Sequence, residues 1–398
     1  MSIPIQIKPL SLILFLLTLS LIQSPSQSCH QVDKQALLGF KHKITSDPSN
    51  LLSTWTPSSD CCAWAGVAWD PTSGRVVNVS RSGLMSGADF IVDTYMAGTL
   101  SPSLSNLSFL QLLDLSNLKE LKGRIPPEFG RLSKLTLLFL DKNKLAASIP
   151  TSFQFLTKLE KLFLSNNNLS GTVPSTVFSS LSSLSQLGLS GNRFSGQIPL
   201  SLGDMVSLTQ LDLHENNFSE KIPDTIGKLK LLEYLDLSEN QISGSIPKSI
   251  GGLSKLLLLY LNQNQLTGTI PSSISGLVSM QFCRLSENKL TRALPASIGQ
   301  LSNIQRLIFE INMLSGKLPA TIGNLVNVTD IFFSNNRFFG EIPSSLQTLD
   351  LSRNQLSGPI PPQLVKLQNL QSLDLSFNPL GLVTIPEWIE NSRLFGYC

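Results

Sequence analysis

Apolar and polar positions alternate in a short frame that recurs along most of this chain. The frame is L-x-L-x-x-N, in which two leucine positions flank one variable residue and an asparagine closes the unit. Successive asparagines lie 24 residues apart, except for one step of 25 and one of 18. They are Asn143, Asn167, Asn192, Asn216, Asn240, Asn264, Asn288, Asn312, Asn336, Asn354 and Asn378. Such a period predicts a solenoid of stacked coils, one for each repeat.

The frame also predicts what each coil contributes. Leu211 and Leu213 point to one face of a short strand, whereas Asp212 points to the other. One coil cannot bury its leucines alone, and each buried leucine contributes roughly 1.5–3 kcal/mol, so neighbouring coils stack. We expect an α/β solenoid: a right-handed leucine-rich repeat superhelix of about twelve repeats, with a parallel β-sheet on its concave face. The strands should begin near Leu113, Leu138, Leu162, Leu187, Leu211, Leu235, Leu259, Cys283, Leu307, Ile331, Leu349 and Leu373.

The rest of each repeat predicts its turns and its outer arc. The closing asparagine follows the strand, where its amide can satisfy backbone groups of adjacent coils, so its role is structural. The second half of each unit reads L-S-G-x-I-P-x-x-L-G-x-L. Gly244 permits a tight backbone there, and Pro247 suits an extended segment. One or two turns of helix or an irregular coil should follow on the outer side. Twelve strands about 4.8 Å apart give an inner face on the order of 50 Å long, which suits an extended ligand.

Composition and the amino terminus indicate the compartment. Charged residues make up 14% of the 398 residues and the net charge is +3, so no broad basic surface for nucleic acid is expected. Lys8, the apolar run 10–22 and the small residues that follow predict a signal peptide at 1–28, with cleavage after Ser28 or after Ser26. The run is short for a membrane span, and no later segment is long and apolar enough. We therefore expect a secreted, extracellular chain.

Glycosylation and cysteine patterns agree with an oxidising compartment. Five N-x-S/T sequons predict glycosylation, although such triplets also arise by chance in a chain rich in Ser and Asn. The sequon asparagines are Asn78, Asn106, Asn168, Asn217 and Asn327. Cys29 and Cys61 are candidates for a disulfide, and Cys283, at an inward position, predicts a buried free thiol. No C-x-x-C pair occurs, so we expect no zinc site.

The amino-terminal segment carries a family resemblance. It contains D-K-Q-A-L-L-G-F-K, L-L-S-T-W and C-C-A-W-A-G-V. Together with L-S-G-x-I-P, these motifs resemble plant extracellular leucine-rich repeat proteins: receptor-like proteins, polygalacturonase inhibitors and the group named for DNA-damage toleration. The resemblance implies an amino-terminal cap at 29–76 and repeats over 113–398. The spacing of 36 between Val77 and Leu113 indicates a degenerate first repeat at 77–112 with an inserted loop, which either takes part in recognition or packs over the first coil.

Three features depart from the family pattern. Trp69 stands where the cap motif normally ends in cysteine, so Cys62 should be free or mispaired. The repeat around 337–354 lacks six residues of its outer arc, through a transcript artefact or as a genuine short coil. The chain ends at Cys398 without the usual carboxyl-terminal cap, as an incomplete product or with an end that a partner covers.

Outward strand positions are the candidate binding residues, because inward ones belong to the core. Exposed aromatic residues and arginines are typical interface anchors. On five consecutive coils these candidates are Tyr234, Leu258, Tyr260, Phe282, Arg284, Arg306, Ile308, Asp330 and Phe332. A weaker group comprises Phe139, Lys161 and Phe163. The alternative is that such residues only stack sideways and stabilise the sheet.

The sequence favours recognition over catalysis. Asp212 and Asp236 should lie on adjacent strands at a spacing that a retaining glycosidase could use, with His214 nearby. Both occupy a recurrent repeat position, however, so we expect solvated, structural carboxylates, no enzyme, no cofactor and no metal. The resemblance implies a receptor for a peptide, a protein or a wall-derived oligosaccharide, acting in cell-surface signalling or defence with a membrane co-receptor kinase. Inhibition of a secreted polygalacturonase is the alternative.

Overall fold

The amino-terminal cap packs a short helix over aromatic side chains. The computed structural model describes residues 28–83, 94–341, 348–359 and 372–381. Helix α1 (Gln31–Lys41) begins after His30, whose ring accepts a hydrogen bond from the amide of Val32. Phe40 of this helix meets the fully buried Trp55, which stacks on Trp64 with 5.5 Å between ring centroids.

A disulfide and a buried ion pair hold the cap in place. The disulfide joins Cys29 and Cys61, with Cα atoms 5.5 Å apart. Asp33 of α1 is fully buried and accepts hydrogen bonds from the Arg75 guanidinium at 2.8 and 3.0 Å and from the Val76 amide at 2.7 Å. Since burial of an isolated carboxylate is costly, this paired geometry ties α1 firmly to the first inner strand.

The other cysteines follow the sequence prediction as far as the structure describes them. Cys62 is free and half-buried, and burial together with the nearby Asp60 carboxylate raises the pKa of its thiol to about 12. Cys283 is a free thiol that lies fully inside the core, and burial raises its pKa. Cys398 lies outside the described residues.

The inner wall is one continuous sheet of fourteen strands, in which only the first pair is antiparallel. Each of the twelve predicted strand starts falls within one of its strands, so the predicted solenoid is confirmed. Its strands are β2 (Val67–Asp70), β3 (Arg75–Ser80), β5 (Leu112–Asp114), β7 (Leu137–Phe139), β9 (Lys161–Phe163), β11 (Gln186–Gly188), β13 (Gln210–Asp212), β15 (Tyr234–Asp236), β17 (Leu258–Tyr260), β18 (Phe282–Arg284), β20 (Arg306–Ile308), β22 (Asp330–Phe332), β24 (Thr348–Asp350) and β26 (Ser372–Asp374).

A second set of strands runs along one flank, which the sequence prediction missed. After the first strand, which pairs antiparallel, the members of this set pair in parallel. One group comprises β1 (Ile44–Ser46), β4 (Met96–Thr99), β6 (Lys119–Arg124), β8 (Lys144–Ala147), β10 (Asn168–Gly171), β12 (Arg193–Gln197), β14 (Asn217–Lys221) and β16 (Gln241–Ser243). The other comprises β19 (Thr291–Arg292), β21 (Met313–Gly316), β23 (Arg337–Gly340) and β25 (Gln355–Leu356).

The outer arcs are short helical turns. One of them is α-helical, α2 (Ser175–Ser180). The other arcs between Pro127 and Asn324 are 3-10 turns, and each begins directly after a proline. The 3-10 segments are Cys61–Ala63, Pro102–Asn106, Pro127–Arg131, Thr151–Phe155, Leu200–Asp204, Asp224–Lys228, Lys248–Gly252, Ser272–Gly276, Ala296–Gln300 and Ala320–Asn324. No helix within the described ranges reaches the length and apolarity needed to cross a bilayer.

A ladder of buried asparagines joins each coil to the one before it. In Asn264 the amide nitrogen donates to the carbonyls of Leu237 (2.9 Å), Leu261 (3.3 Å) and Asn262 (3.2 Å). Its side-chain oxygen accepts from the amide of Ile242 at 2.9 Å. Leu237 and Ile242 belong to the preceding coil, so the side chain satisfies two backbone groups across the coil boundary. These hydrogen bonds give the asparagines the structural role that the sequence predicts, because they satisfy backbone groups in the core.

Several sequence predictions fall on or beside undescribed residues. Residues 1–27 of the predicted signal peptide and residues 84–93 of the inserted segment lie outside the described ranges, as does the chain end after 381. At the loop's end Met96 is fully buried in the core. In the short repeat, Asn354 still accepts the amide of Phe338 at 3.0 Å, over 16 residues instead of 22 or 23 in other coils. The asparagine ladder therefore continues across it.

Candidate functional site

The nine predicted binding residues form two rows across five adjacent strands. In the first row Tyr234, Leu258, Phe282, Arg306 and Asp330 are register partners on β15, β17, β18, β20 and β22. The second row consists of Tyr260, Arg284, Ile308 and Phe332, which are register partners on the last four of these strands. Arg306 is exposed and the other eight are partly exposed. The alternation of leucine and polar positions thus brings all nine together on one face.

Contacts along these rows are largely aromatic. Tyr260 lies between Tyr234 and Phe282, with ring centroids 5.9 and 5.1 Å away. Further along, the Arg306 guanidinium pairs with the Asp330 carboxylate at 2.8 Å. The aromatic side chains therefore stack on one another along the sheet, as the alternative sheet-stabilising role expects. It leaves the rings partly exposed, so stacking and binding are compatible roles for these residues.

Asp212 and Asp236 lie side by side near His214, as the sequence predicts, but the ionic cluster that they form at the edge of the rows was not expected. Asp212 on β13 and Asp236 on β15 are register partners, and the His214 side chain reaches both. Its Nδ1 lies 2.6 Å from the Asp212 carboxylate and 3.8 Å from that of Asp236. The hydrogen bond with Asp212 raises the pKa of His214 to about 9 against the opposing effect of burial, and the charges of both aspartates add to it. The imidazole is therefore protonated at neutral pH.

Tyr234 connects this cluster to the aromatic residues. Its hydroxyl donates to Asp236 at 3.1 Å, and burial raises the pKa of the phenol, with the nearby aspartates contributing. Ser238 also donates to Asp236 through its amide at 2.9 Å and its hydroxyl at 2.6 Å. Asp236 is thus held in one orientation, with hydrogen bonds on both of its oxygens. It is also buried, so the expectation of a solvated carboxylate is wrong for Asp236, because the neighbouring side chains cover it.

The geometry of the cluster suits charge binding better than bond cleavage. The hydroxyl of Ser190 lies 3.0 Å from Asp212 and so contacts the carboxylate, not the imidazole that would activate a nucleophile. The three donor atoms of Asp212, His214 and Asp236 lie within 4.8 Å of one another, close enough to hold a metal ion. A metal would have to displace the proton that the carboxylates stabilise. A cleft of about 310 Å³ lies beside the cap, lined by Leu38 and Trp55, away from these carboxylates.

The weaker amino-terminal group also forms a contact. Phe139 and Phe163 are register partners on β7 and β9, with ring centroids 5.6 Å apart. Lys161 lies at the start of β9 and is partly exposed. No ionic cluster of the kind formed by His214 is described beside these rings. The group offers a smaller surface than the rows on β15 to β22.

The five sequons differ in accessibility. Asn106, Asn168, Asn217 and Asn327 are exposed, on flanks or outer turns. Asn78 instead lies on the inner sheet, where it is half-buried and its side-chain oxygen has no hydrogen-bond partner. Glycosylation at all five remains a prediction, and Asn78 is the position where a glycan would crowd the inner face.

Sequence profiles match most parts of the chain. The profile described as "Leucine rich repeat N-terminal domain" matches residues 30–68. Profiles described as leucine-rich repeats match 133–194, 207–229, 231–253, 255–277 and 344–387. The chain is also similar to the DNA damage-repair/toleration protein DRT100 of Arabidopsis thaliana, at 34% identity over 34% of this chain and 38% of that protein. A polygalacturonase inhibitor of Vitis vinifera is 32% identical over 33% of this chain and 35% of its own length.

The chain is a plant extracellular leucine-rich repeat protein with an amino-terminal cap. Among solved structures, it resembles the ectodomain of the Arabidopsis thaliana receptor kinase GASSHO1/SCHENGEN3 in complex with CASPARIAN STRIP INTEGRITY FACTOR 2. The TM-score is 0.75 at 28% identity, over 90% of this chain and 48% of that one. The receptor kinase HAESA, in complex with the peptide hormone IDA and the co-receptor SERK1, gives 0.67 at 32% identity, over 88% and 62%. This leucine-rich repeat protein thus spans about half the length of the first of these ectodomains.

Proposed function

We propose that this leucine-rich repeat protein recognises an extracellular ligand, a peptide, a protein or a wall-derived oligosaccharide, on strands β15 to β22. The observation that carries the proposal is the pair of continuous rows that place Tyr260, Arg284 and Phe332 on one partly exposed face. Aromatic residues and arginines dominate the binding energy of interfaces because they combine large contact area with directed hydrogen bonds. An extended inner wall suits a ligand that crosses several strands.

The proposed setting is the cell wall or the outer surface of the plasma membrane. Similarity to ectodomains of receptor kinases and to a polygalacturonase inhibitor supports that location. The HAESA structure contains both a peptide hormone and a co-receptor. By analogy, binding here would present a composite surface of ligand and solenoid to a membrane co-receptor kinase, which would transmit the signal.

Replacement of the row residues tests the proposal. The probe is a library of random peptides displayed on phage, selected against the full secreted protein, with the recovered peptides then synthesised. Replacing Tyr260, Arg284 and Phe332 together by alanine should weaken their binding at least about a hundredfold, since anchors of this kind each contribute more than about 1 kcal/mol. An unchanged affinity would discard this surface.

A matched triple variant controls for general damage to the solenoid. Phe155, Val206 and Val326 are large apolar residues on the outer turns, with exposed fractions of 62%, 54% and 74%. Their combined replacement by alanine should leave peptide affinity unchanged. The thermal midpoints of both triple variants should stay close to the wild-type value, which shows that altered binding does not come from unfolding.

Inhibition of a cell-wall-degrading enzyme is the second candidate function. The similarity to the Vitis vinifera inhibitor favours it, although the aligned segment covers only 35% of that protein. The assay measures release of reducing ends from polygalacturonic acid by fungal polygalacturonases, with and without a molar excess of this protein. Potent inhibition, lost in the triple variant of Tyr260, Arg284 and Phe332, would replace the receptor proposal. The absence of inhibition would leave the receptor proposal standing.

A further inference from the structure

The charge of the inner wall is unevenly distributed along the solenoid. The four consecutive frames 186–192, 210–216, 234–240 and 258–264 contain no lysine or arginine. Their ionisable side chains are the carboxylates of Asp212, Glu215, Asp236 and Glu239 and the imidazole of His214. Four carboxylates against one imidazolium leave a net charge of −3, whereas the whole chain carries +3. This stretch therefore carries a net negative charge, whereas the chain as a whole is positively charged.

These charges lie next to partly exposed aromatic rings. Glu215 and Glu239 are exposed at the ends of their frames and Asp212 is partly exposed, whereas its register partner Asp236 is buried and contributes its charge from below the surface. Tyr234 donates to Asp236 from the same strand, and the Tyr260 ring follows on the next strand. A carboxylate beside an aromatic face is the combination that holds a cation: the ring quadrupole and the negative charge attract it together. We call Asp212, Glu215, Asp236, Glu239, Tyr234 and Tyr260 the acidic-aromatic patch.

We propose that the acidic-aromatic patch binds a lysine or arginine side chain of an extended peptide, so that the ligand class is a basic peptide. This inference rests on the proposed function above and narrows it. An anionic pectic fragment carries a negative charge on each galacturonate unit, so the net charge of −3 repels it. Beyond the patch, Arg284 and Phe282 offer contacts for neutral or acidic residues further along the same peptide.

Replacement of His214 tests whether the ligand group that binds the patch is positively or negatively charged. The imidazole is held between the two aspartates and already supplies one positive charge there. That charge opposes an incoming ammonium or guanidinium group. Replacement by neutral glutamine should therefore strengthen the binding of a cation and weaken the binding of an anion, and no purely structural role of His214 predicts an increase in affinity.

The experiment uses the same selection from random phage-displayed peptides against the full secreted protein. Recovered peptides should be enriched in lysine and arginine next to aromatic or aliphatic residues. In the variant Asp212→Asn with Asp236→Asn, His214 also loses its proton, so the local net charge changes by one unit. For the best synthetic peptide this variant should weaken binding about threefold and His214→Gln should tighten it about threefold, as expected for one charge at a partly screened surface. Asp374→Asn is the matched control, since Asp374 occupies the same frame position on β26. It should leave the affinity unchanged.

The outcomes separate this inference from the proposed function. Recovered peptides without lysine or arginine enrichment, or weaker binding by His214→Gln, would overturn the basic-peptide assignment and leave recognition on β15 to β22 intact. Binding of an oligogalacturonide probe that His214→Gln weakens would assign the patch to pectic fragments instead. If the wild-type protein selects no peptide but binds the oligogalacturonide on these strands, only the basic-peptide assignment falls; if it binds neither probe, both proposals fall. Thermal midpoints of each variant confirm that the fold is retained.

Discussion

Replacement of one ladder asparagine should loosen the solenoid at a single boundary between coils. Asn264 is almost fully buried, and its amide satisfies the Leu237 carbonyl and the Ile242 amide of the preceding coil. In Asn264→Ala the Leu237 carbonyl keeps a hydrogen bond from the side-chain amide of Asn240 at 3.3 Å, whereas the Ile242 amide loses its partner in the core. An unsatisfied buried group costs about 1–3 kcal/mol, so the free energy of unfolding should fall by about 1–3 kcal/mol.

Two further asparagines calibrate this magnitude. Asn143 donates to the same pattern of three carbonyls, including Leu115 of the preceding coil at 2.9 Å, but its buried side-chain oxygen has no hydrogen-bond partner. Asn143→Ala therefore removes the hydrogen bond to the Leu115 carbonyl across the coil boundary, and should lower the free energy of unfolding by about 1–3 kcal/mol. Asn303 is exposed and donates to the Val278 carbonyl at 2.8 Å. Because water can replace that bond, Asn303→Ala should cost less than about 1 kcal/mol.

The assay is urea denaturation followed by circular dichroism, with hydrogen exchange to locate the loosened region. Exchange should accelerate first in the coils on both sides of the Asn264 boundary, since each coil contacts only its neighbours. Asn264→Ala and Asn143→Ala should lower the free energy of unfolding by similar amounts, and both by more than Asn303→Ala. Equal losses for the three variants would refute the ladder as the connection between coils.

Three other predictions address the cap, the ionic cluster and one strained residue. Asp33→Ala leaves the Arg75 guanidinium partly buried without its carboxylate, and should lower the free energy of unfolding by about 3–5 kcal/mol in urea denaturation. Asp212→Asn removes the main cause of the raised pKa of His214, so NMR titration should show that pKa fall from about 9 towards 6.5. Folding raises the pKa of His214 in the wild type, so the stability that this residue contributes is complete below pH 6.5 and is lost as the pH rises through about 9. The thermal midpoints of the wild type and of Asp212→Asn should therefore converge above pH 9. Ile311 is β-branched with φ +56°, so Ile311→Asn should stabilise the chain by about 1 kcal/mol, and a lower thermal midpoint would contradict the strain.

Much of this architecture was predictable because its signals are local and periodic. A leucine at every second strand position and an asparagine every 24 residues determine both the inner sheet and the direction of its side chains. The same alternation predicts that Tyr234, Tyr260 and Phe332 lie on one face. Adjacency of Asp212 and Asp236 followed from their identical frame position.

The flank strands and the ionic cluster were not predictable by the same reasoning. A flank strand such as β16 (Gln241–Ser243) buries only Ile242, so its sequence has no run of alternating apolar residues. Its pairing with the strand before it depends on how the coils stack. Similarly, the sequence places His214 two residues after Asp212, but the imidazole reaches Asp236 only because the coils bring the next strand alongside. Both features arise from contacts between repeats.

The measurement that tests the central claim most directly is hydrogen exchange of the secreted protein with and without a selected peptide. Binding should slow amide exchange in the segments that carry the rows, from β13 to β22, and leave the outer turns and the cap unchanged. Protection confined to the outer turns or to the cap, with none on these strands, would contradict recognition by the inner wall.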